Sequence, residues 1–337
     1  MLANRDATWH ATLTTRAMAR DEAATSRTTT TIDPALQATA HAGDVNIAFH
    51  NKTGGHGNDP GVRKSQMDQM MARAQIWAVC EINTITVTAA RFAANNVDPK
   101  VQYYTWWTDP PDNRQVRGTG VALHVPKDLV ASPPTPNDYV YKHKDGKALA
   151  INLTIKNTPF LIIIIHGPHT DKEYEPFMDA LTLNIAPPDP ARVPIILGDF
   201  NFVEAPALDC VPPVTSQKQP IAAARLGRFL AAIGTHWGGM TDAYRTVWGM
   251  KTAVTTHPRK GAMRKRIDRI YVPIQFVKLR APCLRTVHHI LRTDLAVSTK
   301  KGLQTSYHDA VVATICFTDI QTPPRHGHTK DLLKYNP

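Results

Sequence analysis

An aliphatic run, Val193-Pro194-Ile195-Ile196-Leu197, breaks off into Gly198-Asp199-Phe200-Asn201. Branched residues in such a run read as a buried strand, so a carboxylate and a carboxamide two residues apart belong at its solvent-facing end. A general base beside an orienting amide suits the activation of a water molecule. The same tetrapeptide also suits an Asx-turn that merely closes a strand. Two other groupings carry reactive or charged side chains. His166-Gly167-Pro168-His169 offers two imidazoles, but no Cys or His pair elsewhere has the spacing to complete a zinc site, so contacts to a substrate suit it better. Arg259, Lys260, Arg264, Lys265, Arg266 and Arg269 form a dense basic segment, fit either for a solvated loop or for binding phosphates.

Further segments follow a recognisable order. Val45-Asn46-Ile47-Ala48-Phe49-His50-Asn51 and Ile76-Trp77-Ala78-Val79-Cys80-Glu81 precede the central run. Arg266-Ile267-Asp268-Arg269-Ile270-Tyr271-Val272 and Ser306-Tyr307-His308-Asp309-Ala310-Val311 follow it. Taken in order across residues 44–317, these motifs resemble those of the endonuclease/exonuclease/phosphatase (DNase I-like) superfamily. Met240-Thr241-Asp242-Ala243-Tyr244-Arg245 and the Asp268 segment are similar to the apurinic-type endonuclease domains of non-LTR retrotransposons. The resemblance implies roles. Glu81, with Asn51 beside it, would hold Mg²⁺ or Mn²⁺ through hard oxygen ligands. Asp199 would be the general base, with Asn201 donating to the phosphate or orienting the water. Asp268 would fix the tautomer of His308 and support its positive charge against the phosphate. His166 and His169 stand where the superfamily often carries a tyrosine and an asparagine, and both would face substrate. Arg259, Lys260, Arg264, Lys265 and Arg266 would grip a nucleic-acid backbone. The sequence departs from the pattern at Tyr307, where an aspartate that completes the metal site is usual, and at His257, where the retrotransposon domains tend to carry tryptophan.

These residues need strands to carry them. Val121–Val125, Ala148–Ile155, Phe160–Ile165, Ile270–Ile274 and Val311–Phe317 read as strands. Ala222, Leu226, Phe229 and Ile233 mark one apolar helix face, and Phe177, Leu181 and Ile185 another, starting near Asp171 or Lys172. Strands with helices interspersed give an α/β class. The four-layer α/β/β/α sandwich of two mixed β-sheets flanked by helices is what the resemblance adds.

At 337 residues the chain can bury one large core, and a domain over 41–320 with tails at 1–40 and 321–337 accounts for its length. The first tail, rich in Ala, Thr and Arg, holds too few large aliphatics to offset ordering entropy; its acidic residues argue against a mitochondrial presequence. A net charge of +11 favours a polyanionic partner, DNA above all. Four cysteines without Cys-x-x-Cys spacing suit a reducing, intracellular setting, with the nucleus a candidate address, and no apolar run is long enough to span a bilayer. The expected function is a metal-dependent DNA endonuclease. The alternatives are a phosphatase or lipid phosphodiesterase on the same fold, and a catalytically impaired domain that binds nucleic acid without cutting it.

Overall fold

The computed structural model describes residues 43–52, 67–83, 86–109, 118–186, 188–214, 221–258, 262–278, 283–292 and 306–317, with residues 295, 297–299, 302–304 and 320. The tails at 1–40 and 321–337, and Arg259 and Lys260, lie outside the described residues.

Two six-stranded sheets form the centre of the molecule. The first has the order β13-β16-β1-β2-β4-β3, built from Leu284–Ile290 (β13), Ala310–Cys316 (β16), Asp44–Asn51 (β1), Ile76–Cys80 (β2), Val121–Pro126 (β4) and Tyr103–Trp107 (β3). The second has the order β10-β12-β8-β7-β6-β5, built from Met240–Asp242 (β10), Asp268–Pro273 (β12), Val193–Asp199 (β8), Thr158–His166 (β7), Ala148–Ile155 (β6) and Tyr139–Lys142 (β5). Both are mixed: β1 runs parallel to β2 and β7 parallel to β8, whereas the other pairs within them are antiparallel.

The central strands are aliphatic at nearly every position because both of their faces are covered. In β7, Phe160, Ile162 and Ile164 point between the sheets, while Leu161, Ile163 and Ile165 point outward. In β8 the inward residues are Val193, Ile195 and Leu197. Facing them from the first sheet are Val45, Ile47 and Phe49 of β1 and Val311, Ala313 and Ile315 of β16. Helices cover the outer face of the second sheet. Asp171–Ile185 (α2) is capped by Thr170, whose side chain accepts from the Glu173 amide at 3.3 Å, and it buries Tyr174, Phe177, Met178, Leu181 and Ile185. Ile221–Ile233 (α4) buries Ala222, Leu226, Phe229 and Ile233, the stripe read from the sequence. On the far side, Met70, Trp77, Val79 and Val312 form a smaller cluster with Phe92 of helix Thr86–Val97 (α1) packed against it. The layers are therefore helix, sheet, sheet, helix, as expected.

Several strand boundaries differ from the sequence reading: β7 runs from Thr158 to His166, and β16 from Ala310 to Cys316. The β8 strand continues through Gly198 and Asp199, because hydrogen bonding to β7 and β12 carries it two residues past the aliphatic run. Ile274 falls outside β12, which begins earlier, at Asp268. All four cysteines are buried, and none is in a disulfide. Among the described residues no helix is long and apolar enough to cross a membrane.

Candidate active site

Strand direction gathers the polar residues at one rim of the sandwich. Parallel neighbours end together, so Asn51 closes β1 beside Glu81, which follows β2, and His166 closes β7 in register with Asp199 at the end of β8. Antiparallel neighbours begin where those end. Asp268 opens β12 opposite Asp199, and His308 precedes β16, whose partner is β1. Ser306 ties that approach down: its Oγ donates to the Asn51 carbonyl at 2.6 Å and accepts the His308 amide at 3.0 Å.

The six residues come three from each sheet and join across the gap. Asn51 Nδ2 donates to Glu81 Oε1 at 3.0 Å and to Asp199 Oδ2 of the opposite sheet at 2.8 Å. His308 Nδ1 lies 2.8 Å from Asp268 Oδ2, and His166 Nε2 lies 3.5 Å from Glu81 Oε1. Asp199 sits at its strand end but is 1% exposed, so it faces a crevice between the sheets rather than open solvent. Gly198 makes that approach possible. A Cβ there would stand 2.4 Å from the Ile165 carbonyl oxygen of β7.

Burial and charge set the protonation of these groups. Burial pushes the Asp199 carboxyl up, and the Asp268 charge adds to it, against the opposing effects of His308, His166 and the Asn51 hydrogen bond. Burial disfavours charge on His308. The charge and hydrogen bond of Asp268, with help from Asp199 and Glu81, prevail and raise the imidazole to about 9. His166 goes the other way, lowered to about 4 chiefly by burial, so at neutral pH the site holds one charged and one neutral imidazole. Asp199, Asp268 and His308 can each bring a ligand atom within 4.8 Å of the others. A protonated His308 already engaged by Asp268 is a poor metal ligand, which leaves the oxygen donors. Asp268 Oδ1 is buried without a hydrogen-bond partner, and the Glu81 side chain is 14% exposed at the mouth. Such a carboxylate-rich set, backed by an amide, fits a hard divalent cation.

Asn201 takes the left-handed conformation, φ 53°. Its backbone N–H donates to Asp199 Oδ1 at 2.8 Å and its Nδ2 donates to the Gly167 carbonyl at 2.6 Å. It closes an Asx-turn that braces the loop after β7, so the turn reading and the site reading describe one structure. His169 is exposed beside the site, its ring edge-on to His166 at 6.1 Å.

The basic segment is split. Lys265 is exposed and Arg264 partly so, on a short strand, Arg264–Lys265 (β11), paired with Cys210–Val211 (β9). Arg266 and Arg269 are not surface residues, contrary to the expectation of backbone contacts: they are 1% and 0% exposed. Arg266 Nε lies 2.7 Å from Asp209 Oδ1 and its terminal nitrogen 2.7 Å from Asp242 Oδ2; Arg245 also binds Asp209. Arg269 donates to the Phe202 carbonyl at 2.9 Å and lies over the Phe200 and Phe202 rings. Both guanidinium groups face inward because buried carboxylates and the loop after Asp199 await them. Tyr307 is 39% exposed between the buried Ser306 and His308, so it is not a core residue. Among the described residues no hydrogen bond or ion pair joins it to Glu81. Sequence reasoning missed Asp209, Ser306 and Asp309 as organising residues.

No sequence-family model and no curated protein sequence matches the chain. Solved structures do. The AP endonuclease from Archaeoglobus fulgidus is 17% identical over 82% of this chain and 100% of its own, with a TM-score of 0.53. The 3' phosphatase NExo from Neisseria, bound to a product DNA hairpin, is 18% identical over 80% of this chain and 99% of its own, with a TM-score of 0.51. D. rerio TDP2 complexed with a single-strand DNA product is 13% identical over 80% of this chain and 98% of its own, with a TM-score of 0.53. With two mixed sheets back to back between helices, and with this likeness spanning nearly the whole of each relative, the chain has the DNase I-like fold.

Proposed function

We propose that this protein hydrolyses phosphodiester bonds in DNA, with Asp199 as the base that activates water and the Asp268–His308 pair as the cation facing the phosphate. The observation that carries the proposal is the cross-sheet rim itself, where a buried carboxylate of raised proton affinity lies beside an imidazole held charged. Each Asp199 oxygen accepts one hydrogen bond, from Asn51 or from the Asn201 amide, which fixes the plane of the carboxylate and leaves lone pairs for a water. The water's proton passes to Asp199 as its oxygen attacks phosphorus in line, charge gathers on the phosphoryl oxygens near His308, and the P–O bond opposite the water breaks, its electron pair leaving on the departing oxygen, which takes a proton from solvent. Neutral His166 adds a hydrogen-bond donor at the same mouth. Glu81 and Asn51, with Asp199 close by, are the residues that would hold Mg²⁺ or Mn²⁺. Bound there, such an ion would supply further neutralisation of phosphoryl charge.

The choice of DNA rests on two supports: the net charge of +11, and structural relatives described with DNA products. Nicking of duplex DNA is the form that the retrotransposon-like motifs favour. Removal of a terminal 3'-phosphate is a second reading, favoured by the likeness to the Neisseria 3' phosphatase. Supercoiled plasmid and a 3'-phosphorylated oligonucleotide, each incubated with Mg²⁺, Mn²⁺ or chelator, separate these. Nicking in metal but not in chelator is expected, and Asp199→Asn should slow it by about a hundredfold or more. Equal rates for Asp199→Asn and parent would remove Asp199 from the mechanism. Binding without cleavage under every metal condition would leave a nucleic-acid-binding domain.

A further inference from the structure

The approach to β16 carries a second carboxylate–imidazole pair that the reaction centre does not use. His257 Nε2 lies 2.7 Å from Asp309 Oδ2. Asp309 is tied down on two sides: its amide donates to the Thr255 carbonyl at 2.8 Å, and its Oδ1 accepts the Arg292 amide at 2.8 Å. A carboxylate only accepts, so Nε2 carries a hydrogen and the Nδ1 edge is left to meet other groups. The Asp309 side chain is 4% exposed and that of His257 25%, so the part of the pair that reaches solvent is the imidazole.

The pair adjoins the reaction centre. Thr256 forms an antiparallel bridge with His308, and the His257 amide donates to the Tyr307 carbonyl at 2.7 Å. On the other side, Lys265 exchanges hydrogen bonds with Thr256: its amide donates to Thr256 Oγ1 at 2.9 Å, and its carbonyl accepts the Thr256 amide at 2.9 Å. An oriented imidazole thus stands between an exposed lysine and an exposed phenol ring, one residue along from the bridge that positions His308. Cation, imidazole and aromatic ring together match a strand of nucleic acid, which offers phosphates at intervals and flat bases between them.

We propose that His257, oriented by Asp309, and Tyr307 beside it form a contact for the nucleic-acid strand next to the reaction centre. The Nδ1 edge of His257 meets a phosphate that is not being cut, and Tyr307 stacks on a base. Asp309 is a positioning residue and touches no substrate. The inference rests on the nuclease reading above and specifies which part of the substrate extends beyond the scissile bond.

Two measurements on the full chain test it: binding of a fluorescein-labelled oligonucleotide by anisotropy in chelator, and turnover of that oligonucleotide and of bis(p-nitrophenyl) phosphate, which has no flanking nucleotides. His257→Ala and Tyr307→Ala should each weaken oligonucleotide binding by about tenfold. Each should also lower kcat/KM for the oligonucleotide by about tenfold more than for the small diester, with the loss in KM. Asp309→Asn should weaken binding less and shift the His257 imidazole resonances in a nitrogen–proton spectrum; melting curves identify any variant that has lost its fold, and His257→Gln then replaces it. Oligonucleotide binding equal to the parent's, or equal losses on both substrates, would overturn the proposal. If the parent hydrolyses neither substrate, the nuclease reading fails, and the anisotropy result alone decides this one.

Discussion

Arg266 offers the sharpest separation between a residue that grips substrate and one that holds the fold. Its guanidinium is 1% exposed and meets two carboxylates, Asp209 and Asp242, at 2.7 Å each. Burial pushes Asp209 up, yet the charge and hydrogen bond of Arg266, with the charge of Arg269, leave its carboxyl below the usual range. Replacing Arg266 with Met keeps the stem and removes the charge, taking from Asp242 Oδ2 its ion-pair partner while Oδ1 still accepts the Tyr244 and Arg245 amides, and leaving Asp209 to Arg245 and Arg269. Breaking a buried pair from one side costs about 3–5 kcal/mol. Unfolding entropy of roughly 2 cal/mol/K per residue over a domain of about 280 residues gives about 0.6 kcal/mol per degree, so the melting point should fall by about 5–8 °C. Lys265→Met, one residue away and exposed, should change stability by about 1 kcal/mol or less. In DNA binding the ranking should reverse, with Lys265→Met flattening the dependence of affinity on salt by about one phosphate contact and Arg266→Met leaving the slope in place. Thermal melts and anisotropy titrations at several salt concentrations read both quantities. An Arg266→Met protein that melts with the parent but loses a unit of salt slope would refute the buried-network account.

Three further outcomes follow from the geometry. His308 is raised to about 9, so its contribution to stability is whole below pH 6.5 and disappears as pH climbs through 9; roughly 3 kcal/mol should be lost over that window, and Asp268→Asn should abolish the loss in urea titrations at fixed pH steps. Burial lowers His124 to about 3 and His166 and His289 to about 4; the unfolded chain therefore takes up three protons that the folded one refuses as pH falls from 6.5 towards 4. Stability should drop by about 4 kcal/mol per pH unit there, a slope that His124→Asn should reduce by about a third in acid melts. Gly198→Ala would drive a Cβ against the Ile165 carbonyl oxygen, parting β7 from β8 beneath His166 and Asp199; a cost of about 2–3 kcal/mol, with hydrolysis slowed, is expected from melting and nicking rates.

Strands with both faces covered announce themselves, because every position must be apolar: β7 and β8 stand out as aliphatic runs, and Asp199 as the break that ends one. The stripe of α4 was equally plain, since one buried face at helical spacing needs no knowledge of its partner. Edge strands were not. Tyr139–Lys142 and Tyr103–Trp107 hold polar and aromatic residues that pack on one side only, and their pairing depends on strands elsewhere in the chain. Within the site, each residue at the end of a run was visible, but the links were not, because Asn51 and Asp199 are 148 positions apart and His308 and Asp268 are 40 apart. Arg266 misled for the same reason. A guanidinium in a basic run looks solvated until Asp209, 57 residues earlier, is known to be buried beneath it.

The rim's division between the two sheets has a consequence for how the protein is lost and kept. Neither sheet holds a working half, so the site exists only while the layers are in register, and sliding or parting of the sheets abolishes it before either sheet unravels. A ligand that grips groups from both sides acts as a clasp on the whole sandwich, and its binding energy reports as resistance of the entire domain to unfolding. Duplication or truncation that delivers one sheet alone delivers scaffolding without the site, and heat should disperse the rim groups no later than it melts the sheets.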